Sequence, residues 1–347
     1  MHFIKWISLF ANVGIAETYL HECGIDIVVA NELIPDRCRR YQELYPSCQV
    51  ICGDITDDDI YQNIVNQART QWVDFLIATP PCQGMSIAGK MQPDDPRNTL
   101  ITKAVDAIVD IWVSHRLIEN VPWSLKTYLA IDWNQILIPE YIQKRLSQNY
   151  HITFQVLDTA DYNTPQHRKR AIILWSRIAS WYPPSPFPHI SVHEAIGHLP
   201  SLEASQSSHI IWHTAKAHNP DHIRWMRHTP TGQTAFDNPI HFPSKSGRKI
   251  KWFRTTYKRM HWDKPAPTIT MKNGSISSQN NVHPGRLLPN GTYSDARVLT
   301  VAELSILTWL PQHWTPPPRA SDVLIRQAIG EWIPPKLIQQ LIQTMPH

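Results

Sequence analysis

The residues best suited to covalent chemistry centre on one cysteine, Cys82, in the run Ala78-Thr79-Pro80-Pro81-Cys82-Gln83-Gly84-Met85-Ser86. The residues before it, Trp72-Val73-Asp74-Phe75-Leu76-Ile77-Ala78, are apolar and rich in strand formers, so they read as a buried strand. Two prolines then fix the backbone and stop the ladder. The thiol is thereby presented on a stiff turn at a strand's carboxyl end, where open α/β sheets bind ligands. A carboxylate, Glu119, follows a second apolar run in Glu119-Asn120-Val121-Pro122, again closed by proline. Further on, Gln166-His167-Arg168-Lys169-Arg170 leads into Ala171-Ile172-Ile173-Leu174-Trp175 and sets a cationic cluster beside another strand. A free thiol titrates near about pH 8.5 and is mostly protonated at neutrality, so nearby guanidinium charge favours its nucleophilic form.

The elements that must position these groups begin at the amino-terminus. Ile4 to Phe10 is strand-like and passes through Ala11-Asn12-Val13-Gly14-Ile15-Ala16-Glu17 into a helical stretch. A strand, a tight loop and a helix amino-terminus make a nucleotide-binding corner. The next strand, Ile25 to Ala30, ends at Asn31-Glu32, an acidic position suited to a ribose hydroxyl pair. A third acidic strand end, Cys52-Gly53-Asp54-Ile55, offers a carboxylate to an adenine amino group, although Glu32 and Asp54 equally suit turn or helix caps. Residues 1 to about 178 alternate strands with helical stretches, which predicts a doubly wound, mostly parallel α/β sheet.

At Trp181-Tyr182-Pro183-Pro184-Ser185-Pro186-Phe187-Pro188, four prolines break this pattern and mark a linker. From there to about 320 the chain is rich in Pro, His and Trp with weak periodicity, which predicts a smaller, irregular domain. The run Lys245-Ser246-Gly247-Arg248-Lys249-Ile250-Lys251-Trp252-Phe253-Arg254, continued by Lys258-Arg259, interleaves basic and aromatic residues as nucleic-acid surfaces do. A net charge of +4 is compatible with a polyanionic partner. No stretch approaches eighteen apolar residues and no signal-peptide pattern opens the chain, so a cytoplasmic protein without a membrane partner is expected. Cys23, Cys38, Cys48, Cys52 and Cys82 form no C-x-x-C pair, which predicts neither a zinc site nor a disulfide framework and makes the first four buried, inert thiols. His218 and His222 have i,i+4 spacing but lack accompanying ligands, so no metal is expected.

Pro80-Pro81-Cys82-Gln83, Glu119-Asn120-Val121 and Gln166-His167-Arg168-Lys169-Arg170, in that order and at those separations, resemble three signature motifs of the cytosine-5 DNA methyltransferases. The resemblance implies a Rossmann-like S-adenosylmethionine-dependent fold with a discontinuous catalytic domain, 1–180 plus 322–347, around a target-recognition domain, 181–321. Within the latter, Asp263-Lys264-Pro265-Ala266-Pro267-Thr268-Ile269-Thr270 and Arg297-Val298-Leu299-Thr300-Val301-Ala302-Glu303-Leu304 resemble family stretches that end the recognition region and organise its domain. Carried over residue by residue, the resemblance implies an S-adenosylmethionine pocket lined by Phe10, Asn12, Gly14, Glu32, Asp54, Ile55, Pro80 and Gly330. Cys82 would attack carbon 6 of a flipped-out cytosine, Glu119 would meet ring nitrogen 3, and Arg168 and Arg170 would hold the carbonyl oxygen or adjacent backbone, with Asn120 orienting Glu119. Ser86, Lys90 and Arg97 on a closing loop, with Gln166, Arg248, Arg254, Thr268 and Thr270, would contact double-stranded DNA.

Two departures stand out. Asn12 replaces the first glycine of the family's Phe-x-Gly-x-Gly loop, and Glu331 replaces an amide near the carboxyl end, which motivates a catalytically silent DNA-binding reading. A related branch methylates transfer RNA and reads Pro-Phe-Thr after the cysteine motif, whereas this chain has Gly84-Met85-Ser86, as the DNA enzymes do. From the family alone come a monomer and a cognate restriction endonuclease acting on the same site.

Overall fold

The computed structural model describes residues 3–81, 100–131, 134–251, 253–311, 314, 320–331 and 333–347. The chain forms two compact units, Met1–Asp158 with Lys169–Pro186 and Leu337–His347, and Thr159–Arg168 with Phe187–Lys336. Segment 322–336, expected with the sheet, clusters with the second unit, as does the Thr159–Arg168 connection.

In the first unit, strands β2 (Ile25–Glu32), β3 (Gln49–Cys52), β4 (Phe75–Ala78) and β5 (His115–Asn120) are linked through helices α1 (Pro35–Leu44), α2 (Asp58–Thr70) and α3 (Leu100–Ile111), whereas the connection from β1 (Ile4–Leu9) to β2, expected to be helical, holds only turns and a single 3-10 turn at His21–Cys23. A hairpin of β6 (Tyr128–Ile131) and β7 (Asn134–Leu137) and helix α4 (Ile138–Leu146) precede β8 (His151–Asp158) and β9 (Lys169–Ser176). The seven-stranded sheet has the order β3-β2-β1-β4-β5-β9-β8. Pairings among β1 to β5 are parallel, and β9 runs antiparallel between β5 and β8. The winding direction reverses between β1 and β4, the kind of point beyond whose strand ends open α/β sheets bind ligands.

Every residue of β4 and β5 is buried, as expected of strands covered on both faces. Ile7 and Leu9 join the cluster that takes Tyr61, Ile64, Val65 and Ala68 of α2 and Ile101, Ala104, Val105 and Ile108 of α3. Those helical positions recur at three- and four-residue intervals, and Asp57 caps α2 by accepting the Asp59 and Ile60 N–H groups. On the opposite face Trp6 packs on Phe75 at 4.1 Å, and Phe75 meets Trp181 edge-on at 5.9 Å. Trp181 is fully buried and donates its indole N–H to Leu341 O, 3.0 Å away in the C-terminal helix Pro335–Ile342. The proline-rich segment therefore starts as a packed part of the sheet unit.

The second unit contains short helices α5 (Val192–Ile196), α6 (Pro220–Arg227), α7 (Val301–Leu307) and α8 (Asp322–Glu331), and a two-stranded ribbon, β10 (Ser244–Lys245) and β11 (Arg248–Lys249). A modest apolar cluster of Trp225, Met226, Phe236, Tyr257, Ile276, Val282 and Val298 sits beside a buried ionic network. Arg297 bonds Asp295 at 2.9 Å and both Glu303 oxygens at 2.8 and 2.9 Å, and its Nε donates to Leu202 O. Glu303 also closes a capping box with Thr300 at the start of α7. Burial alone would raise Asp295, but His283, Arg297 and the Ser201 and Ser294 hydroxyls outweigh it and hold the carboxyl at about 2. Burial likewise opposes ionisation of Glu303, and the Arg297 charge overrides it, holding Glu303 well below the usual range.

Both carboxylates are thus depressed in the folded state, so their stabilisation is present above about pH 4 and is lost as the pH falls below it. Replacing Arg297 with Met should remove about 3–5 kcal/mol of unfolding free energy, because two buried carboxylates lose their counter-charge. Urea titration followed by tryptophan fluorescence measures this, and a loss below about 1 kcal/mol would contradict it.

Candidate active site

The carboxyl ends of β1 to β4 meet at one corner of the sheet unit. Thr79 ties β4 to β1, its N–H donating to Leu9 O at 3.3 Å and its hydroxyl to Phe10 O at 3.1 Å. Phe10 and Asn12 take left-handed backbone angles, φ 58° and 52°. Asparagine tolerates that region, so the loop forms without the glycine that the motif comparison expects at position 12. Gly14 has φ 79°, and a Cβ there would lie 2.4 Å from the Tyr45 ring. The Tyr45 hydroxyl donates to Gly14 O at 2.6 Å, so packing as well as backbone angle demands glycine.

Glu32, buried at the end of β2, accepts the Asn12 N–H on Oε2 at 2.9 Å and the Ile34 N–H on Oε1 at 3.0 Å. Each oxygen keeps a further lone pair for a hydroxyl. Leu33 and Ile34 beside it are exposed. Exposed Asp54 accepts the Thr56 N–H and hydroxyl on Oδ1 at 2.9 and 2.8 Å, closing the turn before α2. Ile55 and Pro80 are buried and Phe10 is half-buried.

Beneath the loop lies a group that sequence reasoning passed over. Glu17 is buried and accepts the Ser8 hydroxyl at 2.5 Å and the Tyr41 hydroxyl at 3.4 Å, and its Oε2 has no partner among the described residues. Burial is the main cause that pushes its carboxyl up to about 7. The available signal was an acid set between the apolar positions Ile15 and Leu20.

At the end of β5 and the start of β9, Arg170 Nε meets Glu119 Oε1 at 2.6 Å, with both side chains only 12% and 11% exposed. A charge-assisted bond shielded from water is among the stronger polar contacts available. Asn120 does not orient Glu119 as expected. Its Nδ2 donates to Pro80 O at 3.3 Å and its Oδ1 accepts the Val121 N–H at 2.8 Å. The reason is strand alternation, which sends neighbouring side chains to opposite faces. Asn120 therefore fastens Pro80, just beyond the end of β4 and two positions before Cys82 in the sequence.

Arg168, expected beside the reacting base, is 2% exposed. Its terminal nitrogens donate to Ile269 O, Gly330 O and Glu331 O at 2.8, 2.9 and 3.0 Å, so it clamps backbone within the second unit. Gly330, expected at the cofactor, is packed there: a Cβ would lie 2.4 Å from the Thr270 carbonyl carbon and Met271 N. Gln166, expected on DNA, is buried and accepts the Ile269 N–H at 3.2 Å. Thr268 is exposed and donates to His167 O at 2.8 Å, while half-buried Thr270 accepts from Asn273 through its carbonyl. Arg248 and Arg254 are exposed, and Arg254 pairs with Asp237 at 2.6 Å. Arg259, placed by sequence in the basic surface run, is buried and bonds the carbonyls of Met226, His283, Ser294 and Asp295.

Cys82, Ser86, Lys90 and Arg97 lie outside the described residues. Of the other thiols, Cys38 and Cys48 are buried, and burial pushes Cys48 up to about 12. Cys23 is half-buried and Cys52 is exposed, because the latter ends an edge strand, so neither is the buried thiol expected. His218 accepts the Val298 N–H at 3.3 Å, and burial lowers it to about 4.

Glu17 carries a folded-state value above its unfolded one, so the fold retains a proton that the unfolded chain releases. Stability therefore falls as pH rises from about 4.5 to about 7 and stays reduced above that range. Glu17→Gln should raise stability at pH ~8 by on the order of 3 kcal/mol and change it little at pH ~4.5. Denaturant titrations at the two pH values test this, and an equal effect at both would refute it.

The profile of the C-5 cytosine-specific DNA methylases matches residues 4–347. The chain is 48% identical to the type II methyltransferase M1.HgaI of Avibacterium volantium, covering 99% of this chain and 98% of that one. It is 28% identical to the type II methyltransferase M1.HphI of Haemophilus parahaemolyticus, over 99% and 86% of the two chains. In fold it is similar to the Entamoeba histolytica methyltransferase EhMeth, with a TM-score of 0.65 at 14% identity over 99% and 98% of the chains. The match along almost the whole chain shows that it belongs to the C-5 cytosine-specific DNA methylase family.

Proposed function

We propose that this DNA cytosine-5 methyltransferase takes its methyl group from S-adenosylmethionine and acts on a cytosine extruded from a short, specific double-stranded site, through a transient bond to Cys82. The observation that carries this reading is the shielded Glu119–Arg170 pair, at strand ends beside Pro80, which Asn120 fastens two positions before Cys82 in the sequence.

The acceptors at the first corner fit the cofactor. Glu32 keeps acceptor capacity for a ribose diol, Asp54 has a second oxygen for an amino group, and Leu33, Ile34 and Phe10 offer apolar surface to a purine. When bound, S-adenosylmethionine supplies an electrophilic methyl group on a positively charged sulfur. The Asn12 loop and Glu32 would hold it, and nothing in the Asn12 substitution prevents loop formation.

Carbon 5 of cytosine is a poor nucleophile until something adds at carbon 6. The Cys82 thiolate forms that sulfur–carbon bond and pushes electron density onto carbon 5 and ring nitrogen 3. Glu119 shares a proton with nitrogen 3 as charge develops, and Arg170 holds Glu119 and the neighbouring carbonyl oxygen. Once carbon 5 carried the methyl group that S-adenosylmethionine would supply, loss of its proton to a water-derived base would restore the 5,6 double bond and expel the thiolate, regenerating Cys82. Extruding the base costs a few kcal/mol, offset by contacts to the opened site.

Similarity to type II methyltransferases along the full chain supports a modification enzyme, and the reading extends to a cytoplasmic monomer that protects sites from a cognate endonuclease. Among the described residues no helix is long and apolar enough to cross a membrane.

Cys82→Ser should cut transfer of labelled methyl groups into DNA by about 10³-fold or more while gel-shift affinity stays within a few-fold. Near-normal turnover would overturn the covalent route. Glu32→Gln should weaken S-adenosylmethionine binding by about tenfold in calorimetry, since one good acceptor is lost. An unchanged dissociation constant would remove Glu32 from the pocket.

A further inference from the structure

The basic run of the second unit was unsorted by sequence, and the fold sorts it. β10 and β11 pair antiparallel, with Ser244 opposite Lys249 and Lys245 opposite Arg248. The two-residue turn between them, Ser246-Gly247, has φ 51° and 76°, the mirror-image geometry that suits a tight hairpin. At the base, Ile250 N donates to Pro243 O at 3.1 Å and Ile250 packs on the cluster around Trp225 and Tyr257. Lys249 faces this base, bonding Phe236 O at 2.5 Å and lying 5.4 Å over the Phe242 ring. Alternation therefore sends Lys245 and Arg248 to the opposite face. Both are exposed, as is the whole tip, and a Cβ on Gly247 would meet nothing within 4 Å.

Two cations directly opposite on a two-stranded ribbon repel each other, so this pair costs stability in the free protein. Among the described residues neither Lys245 nor Arg248 has an acidic partner, whereas Arg224 is paired with Asp221, Arg227 with Glu203 and Arg254 with Asp237. The ribbon thus concentrates uncompensated positive charge on a narrow, exposed tip. Its width matters, because the major groove of B-form DNA admits a two-stranded ribbon, and arginine there pairs with both acceptors of guanine.

We propose that the Ser244–Lys249 ribbon enters the major groove of the substrate duplex, with Arg248 reading a guanine edge and Lys245 neutralising a backbone phosphate. This rests on the DNA-methyltransferase reading above.

The test uses the full chain and two readouts. Plasmid from a methylation-free host expressing each variant is bisulfite-sequenced, and binding to a duplex carrying the site is measured against salt. Arg248→Ala should lower methylation of the wild-type site by about tenfold or more and admit sites changed at one base pair. Arg248→Gln should shift the preference at that same position toward adenine. Lys245→Ala should weaken binding evenly across sequences and reduce the salt slope by about one. Arg248 variants with unchanged site selectivity, or an even loss like that of Lys245→Ala, would overturn the groove assignment while leaving the enzyme intact. Absence of cytosine methylation by the wild-type chain would instead overturn the functional reading beneath it.

Discussion

The antiparallel insertion of β9 between β5 and β8 is the constraint on which the candidate chemistry depends. Because β9 runs against β5, its first residues lie beside the last of β5, with Glu119 opposite Ile172 and Asn120 opposite Ala171. Arg170 then reaches Glu119, although the two are far apart in sequence. A parallel β9 would carry that guanidinium to the other end of the sheet, roughly 20 Å away at ~3.3 Å per residue. Neither charge is well hydrated where it stands, so each needs the other. The same strand end explains Asn120, whose neighbouring position points it away from Glu119 and onto Pro80, two positions before Cys82.

The candidate cofactor corner is shaped from two sides. Above, the Glu32 carboxylate gathers backbone N–H groups from the loop and from the start of α1. Below, Glu17 joins Ser8 of β1 to Tyr41 of α1, and Tyr45 closes on Gly14. The left-handed angles at Phe10, Asn12 and Gly14 persist because this surrounding packing over-determines them. A loop that departs from the glycine pattern of its family can therefore keep its course, with side chains supplying what glycine would have left to backbone freedom.

The second unit solves a different problem. It has few residues in regular elements and a small apolar cluster, so its interior is organised by arginines. Arg168 and Arg259 gather backbone carbonyls that have no helix or ladder to satisfy them, and Arg297 joins two carboxylates to the cap of α7. This is costly in desolvation but fixes one arrangement of irregular chain. It also removes several basic residues from the pool available to DNA, which a count of charges does not reveal.

Local pattern was enough to read the alternating sheet, the strand ends that carry Glu32, Asp54 and Glu119, the end of β4 before the two prolines and the change of character after the linker. These are properties of neighbours in sequence: apolar periodicity, proline stops and acids placed just beyond strands. Which arginine meets Glu119, which carbonyls Arg168 holds, why Gly330 is glycine and which cations remain on the ribbon were set by pairings across tens to hundreds of residues. Strand order, strand direction and burial decide those contacts, because a charged side chain looks the same in sequence whether it faces water, a backbone carbonyl or a partner brought to it by the fold.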